Sequence, residues 1–82
     1  MGARVEDTLR EVIATYFQKA PGQVNLDEPV EEATDSLELS GLIVAVEKRF
    51  GVALADDVVG RLRVLRDLVP VLERQLGAST GR

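Results

Sequence analysis

Apolar positions return along the chain at helical intervals. In residues 4–19 they are Val5, Leu9, Val12, Ile13, Tyr16 and Phe17, spaced i, i+4, i+7, i+8, i+11 and i+12. That spacing predicts one buried face of an amphipathic helix. Glu6, Asp7, Arg10 and Glu11 occupy its other side. The "APGQ" stretch at 20–23 ends it, because Pro21 disfavours helical geometry at Ala20 and Gly22 invites a turn. Residues 22–34 hold no sustained period and read as a long loop. From Asp35 the period resumes with Leu39, Leu42, Ile43, Val46 and Phe50, predicting a helix over 36–50. Asp35 and Glu38 have the spacing of a capping box. Lys48 and Arg49 suit the negative end of the helix dipole, and Gly51 suits a C-cap. Asp56 and Asp57 open a short turn carrying Val58, Val59 and Leu62, weakened by Gly60. A last helix uses Leu65, Leu68, Val71, Leu72 and Leu76; with Asp67 as N-cap, Pro70 falls harmlessly at the third helical position. Residues 77–82 read as a flexible tail.

No strand pattern interrupts this series. The fold class is therefore all-α: a four-helix bundle with three principal helices, one short third helix, and a long loop between helices 1 and 2. At 82 residues the chain reads as a single domain, 1–82, with its core in about 4–76. Leu, Val and Ile must fill that core, since the aromatics are only Tyr16, Phe17 and Phe50.

Composition removes much chemistry. There is no cysteine and no histidine, hence no thiol nucleophile, no thiolate metal site and no imidazole base. The first residues lack the apolar stretch of a signal peptide, and no run reaches membrane-spanning length, so the expected setting is cytoplasmic, with no membrane contact. Net charge is −4, and it is unevenly placed: no Lys or Arg stands between Lys19 and Lys48. That acidic centre repels nucleic acid and attracts basic protein surfaces. The later arginines lack interleaved aromatics, so no nucleic-acid partner is expected.

The stretch "ATDSLELSGL" at 33–42 carries the candidate chemistry. Ser36 has no histidine to activate it and no nucleophile elbow around it, so it is no hydrolase serine. Residues 27–38 mimic the length of a calcium loop, but Pro29 stands where a ligand is needed and Glu32 where the sharp turn needs glycine. Two readings of Ser36 stay open on the residues alone. It is an ordinary helix cap in a small interaction module with an acidic docking loop, or it is an attachment point.

"TDSLELSGLIVAVEKRFGV" at 34–52 resembles the acyl carrier protein family. The shared features are the Asp-Ser-Leu start, an acid after the leucine, Leu42 and Ala45, Glu47, and the Phe50-Gly51 end. "ALADDVVGRLRVLRDLVPVL" at 53–72 looks like the same family's short third helix and final helix. The resemblance implies a non-enzymatic carrier. Ser36 would bear 4′-phosphopantetheine through a phosphodiester, with Asp35 beside it, and cargo would ride as a thioester. Glu38 and Glu47, with Leu37 and Val44, would form the face met by a phosphopantetheinyl transferase and by an acyltransferase, ketosynthase or acyl ligase. The chain would act as a monomer. Ala33, Glu32, Ser40 and Gly41 depart from the family's common residues. They point away from housekeeping fatty-acid synthesis, toward a dedicated fatty-acid-like or polyketide-type pathway.

Overall fold

The computed structural model describes the backbone of residues 2–80 and the side chains of residues 4–77. Helix α1 spans Gly2–Phe17. It buries Val5, Leu9, Ile13 and Ala14. It stops at Phe17, two residues short of the expected end at 19. The cause is local: Gln18 takes a left-handed conformation, φ 58°. Gln18 N–H then donates to the Thr15 carbonyl at 3.2 Å and Lys19 N–H to the Ala14 carbonyl at 2.9 Å, a Schellman closure. Tyr16, expected on the buried face, is instead 37% exposed.

The long loop is less irregular than its sequence suggests. It holds a 3₁₀ turn at Pro21–Gln23 and a single helical turn, α2, at Val30–Ala33. Residues 27–38 thus include helix, unlike a calcium loop. Val24, Leu26 and Val30 are buried in the core. Two backbone bonds stitch the loop to the segment before the last helix: Val30 N–H to the Arg63 carbonyl and Arg66 N–H to the Leu26 carbonyl, each 2.8 Å. Arg66 adds a forked contact to Asp27 at 2.7 and 3.2 Å and reaches Glu6 at 2.9 Å.

Helix α3 spans Ser36–Phe50, as its period predicts. It closes on Gly51 at φ 69°, where glycine avoids the Cβ clash of that conformation. Helix α4, Asp56–Gly60, is the short helix expected from Asp56 and Asp57, and it ends before Leu62. A 3₁₀ turn at Leu65–Asp67 leads into α5, Leu68–Thr80. Leu65 is therefore buried from the turn rather than from the helix. The Asp67 carboxylate accepts from Arg63 N–H and Val64 N–H, serving the turn before α5. Pro70 stands third in α5, where it breaks no bond. The helix continues to Thr80, past the Leu76 limit of the apolar pattern; Gly81 and Arg82 lie outside the described residues.

α1 packs against both α3 and α5. Leu9, Leu26, Leu42, Val46, Leu68 and Leu72 are wholly enclosed. Each such side chain contributes roughly 1.5–3 kcal/mol by leaving water. The fold is all-α with five helices among the described residues, one more than expected, because the four-residue α2 has no length in which to show a period. Among the described residues no helix is long and apolar enough to cross a membrane.

Candidate functional site

The site is the start of α3. Asp35 is its N-cap, in extended backbone (φ −89°, ψ 174°). Its Oδ1 accepts Glu38 N–H at 2.8 Å, and Glu38 Oε1 lies 3.4 Å from Asp35 N in return. The capping box read from the sequence is thus formed. Thr34, buried at 8% exposure, sets its hydroxyl 3.1 Å from the same Glu38 oxygen. A threonine next to the cap is the one sequence sign of this brace, and on its own it does not name Glu38 as the partner.

Capping is therefore the work of Asp35, and Ser36 is the first residue inside the helix. Its side chain is exposed. Its hydroxyl has no hydrogen-bond partner among the described residues. The view of Ser36 as merely a cap is corrected: the cap oxygen belongs to its neighbour. Ser36 N–H and Leu37 N–H are first-turn donors left without a partner among the described residues, at the positive end of a 15-residue helix.

Two stripes run from this point along α3. Ser36, Ser40, Ile43 and Glu47 share one, spaced i, i+4, i+7 and i+11. Ser40 donates its hydroxyl to the Ser36 carbonyl at 3.1 Å. A groove of about 230 Å³ lies beside Ser40, Ile43 and Glu47 of this stripe, between α3 and α4, lined also by Val44, Leu54, Asp56 and Val59. Glu47 is half-buried, and its Oε2 accepts Leu54 N–H at 2.7 Å. It staples the segment after α3 to the helix, a role its sequence position did not reveal. The second stripe holds Leu37, Gly41, Val44 and Lys48 and faces outward. Leu37 is 84% exposed and Val44 47%.

Among the described residues no group of three or more acidic, histidine or cysteine side chains could hold a metal ion. Asp27 is the carboxyl held below its ordinary value, chiefly by hydrogen bonds from Arg66 and secondarily by that cation's charge. It lies in the loop and has no part at Ser36.

The start of α3 thus presents an exposed, unpartnered hydroxyl beside a separate capping carboxylate. Residues 7–78 match the family described as "Phosphopantetheine attachment site". The chain is 30% identical over 71 residues to an acyl carrier protein of Campylobacter hominis, covering 84% of this chain and 90% of that one. It is 31% identical over 71 residues to acyl carrier protein 2 of Pseudomonas aeruginosa, with the same coverage. It is 28% identical over 75 residues to an acyl carrier protein of Solidesulfovibrio magneticus, covering 89% and 96%. The chain belongs to the phosphopantetheine-bearing acyl carrier protein family. It is a carrier and not an enzyme, its cofactor is covalent 4′-phosphopantetheine, and its partners are a phosphopantetheinyl transferase and acyl-processing enzymes.

Proposed function

We propose that Ser36 is the residue that carries the phosphopantetheine group. The observation that carries this reading is the division of labour at the start of α3. Asp35 satisfies the helix, and Ser36 is left exposed with its hydroxyl unengaged. The surroundings fit a phosphodiester. The N–H groups of Ser36 and Leu37 and the helix dipole favour an anion there. Asp35 and Glu38 act against it by charge, and each has its own hydrogen bonds to hold it in place. The chain has no histidine to serve as a base, and Asp35 and Glu38 are engaged in the capping box; the base that takes the Ser36 proton belongs to the transferase. When bound, the group supplies a thiol on a flexible arm, on which acyl groups are held as thioesters.

The docking face is the outward stripe of α3. Leu37 and Val44 offer apolar contact, and Asp35 and Glu38 offer negative charge to basic enzyme surfaces. Glu47 takes a smaller part, since one of its oxygens is committed to Leu54. The departures at Ala33, Ser40 and Gly41 support a dedicated fatty-acid-like or polyketide-type pathway, with an acyltransferase, ketosynthase or acyl ligase as further partners. The setting is cytoplasmic and the chain acts as a monomer.

The test is intact mass before and after incubation of unmodified chain with coenzyme A and a broad-specificity phosphopantetheinyl transferase. A gain of one phosphopantetheine, absent in Ser36→Ala, is the expected result. A gain that survives Ser36→Ala sinks the assignment.

A further inference from the structure

Three large apolar side chains are exposed among the described residues: Tyr16, Leu37 and Val44. They are not scattered. Leu37 and Val44 lie on the outward stripe of α3, one turn to either side of Gly41. Tyr16 comes from the end of α1 and reaches α3 at Gly41. Its hydroxyl occupies the place where a side chain at Gly41 would begin, with Cζ 3.1 Å and Cε1 3.4 Å from that point. Phe17 braces the neighbouring ring edge-on, centroids 5.2 Å apart at 89°. On the far flank of Tyr16 a groove of about 360 Å³ separates α1 from α3, with Val12 and Ala45 among its walls and Glu11 and Arg49 at its rim.

The exposed face of α3 thus carries Leu37 and Val44, with the Tyr16 phenol set against Gly41 in the turn between them. Isolated exposed apolar residues need no explanation, but apolar residues gathered on one exposed face mark a surface that something covers. Tyrosine also suits such a place, giving a rigid ring at low entropy cost and a polar tip. The Tyr16 hydroxyl has no hydrogen-bond partner among the described residues. Asp35 and Glu38 border this face at the Ser36 end, in the stretch without Lys or Arg from Lys19 to Lys48.

We propose that Tyr16 is a docking residue, supplied by α1 to the partner-facing surface where Gly41 leaves α3 bare. The partner is an enzyme with an apolar patch rimmed by basic side chains and a hydrogen-bonding group opposite the phenol. Charge complementarity to Asp35 and Glu38 selects such a surface over an acidic one. The inference rests on the reading of Ser36 as the attachment residue. Gly41 is then no simple lost contact: its missing side chain is what admits the tyrosine.

The experiment follows the kinetics of phosphopantetheine transfer from coenzyme A by a broad-specificity transferase, on the full chain. Tyr16→Ala should raise KM for the chain roughly five- to thirtyfold at unchanged kcat, as for loss of an aromatic interface anchor. Tyr16→Phe should restore most of that loss, leaving a remainder that measures the hydroxyl. Gly41→Ala, which displaces the phenol without deleting it, should move KM in the same direction. An unaltered KM in Tyr16→Ala with a native circular dichroism spectrum, while Leu37→Ala raises it, overturns the proposal. If Tyr16→Ala does not fold, an unaltered KM in Gly41→Ala overturns it instead. No transfer to the wild-type chain, or transfer that survives Ser36→Ala, overturns the attachment reading and this inference with it. That outcome is distinguishable from a modified chain whose KM is indifferent to Tyr16.

Discussion

Asp35→Ala and Ser36→Ala, made separately, test the claim that one residue serves the helix and the other serves the cofactor. Asp35 Oδ1 accepts Glu38 N–H at 2.8 Å, and the return contact from Glu38 depends on the same geometry. Removing an N-cap acceptor costs about 0.5–2 kcal/mol, typically about 1. A lost charge at the positive end of the dipole adds roughly 0.3–1 kcal/mol. Asp35→Ala should therefore destabilise the unmodified chain by about 1–2 kcal/mol. Ser36→Ala breaks no side-chain bond among the described residues. Alanine also has the better helix propensity, by up to about 0.5 kcal/mol. Its expected effect is between zero and a slight stabilisation. The assay is urea unfolding followed by circular dichroism, with m checked for constancy. In a domain of this size a change of 1 kcal/mol moves Tm by about 4–8 °C, so thermal unfolding separates the two variants as well. The reasoning is refuted if Ser36→Ala costs 1 kcal/mol or more while Asp35→Ala costs little, because Ser36 would then be the cap.

Gln18→Gly should stabilise the chain by roughly 0.5–1 kcal/mol, since glycine carries no steric cost at φ 58°; denaturant midpoints check it, and a loss of stability refutes it. Glu47→Ala should cost about 1 kcal/mol through the orphaned Leu54 N–H and should speed amide exchange at Leu54, measurable by NMR. Leu42→Ala, at 0% exposure, should cost about 2–5 kcal/mol in the same unfolding assay. Asp27 is held below its ordinary pKa by Arg66, so the unfolded chain binds more protons there than the folded one once pH approaches the unfolded value of about 3.9. Its contribution is whole above that pH and is lost as pH falls through the lower folded value. Asp27→Asn should flatten that part of the stability–pH profile and leave the neutral region's slope unchanged.

Helix α3 was legible because both its ends are written locally. Asp35 and Glu38 open it, Gly51 closes it, and five apolar residues keep its period. The start of α5 was half legible: Pro70 fell at its third position as reckoned, but Leu65 belongs to a 3₁₀ turn that the same apolar spacing cannot distinguish from helix. The end of α1 was misread because the left-handed residue is Gln18, a type that gives no signal for that conformation. The contacts that place the long loop were not readable at all. Asp27 and Arg66 meet across 39 positions of sequence, and nothing in either neighbourhood names the other. The contact of Tyr16 with Gly41 shows the same limit. Gly41 looked like a missing side chain on α3, and only the packing of α1 shows which residue stands in its place.

The loop that leads to Ser36 shows which forces hold the site. Arg66 joins Asp27 and Glu6, yet its side chain is 41% exposed, and Asp27 is 68% exposed. Ion pairs in that setting are screened by water and salt and contribute little. Leu26, by contrast, is 1% exposed and Val30 6%, and the backbone bonds of both residues run to the same segment, residues 63–66. The loop is thus fixed by apolar anchors and backbone bonds, with the exposed ion pairs adding little. α2 begins at one of those anchors and is followed by its C-cap Thr34, whose hydroxyl meets the capping Glu38. The start of α3 is therefore held from the core outward, through Val30, Thr34 and Asp35 in turn. That chain of contacts ends one residue before Ser36. The backbone there is firmly placed and the hydroxyl is free, which is the arrangement a carrier needs. On the proposed assignment, the motion would belong to the attached arm, and this helix start would supply its base.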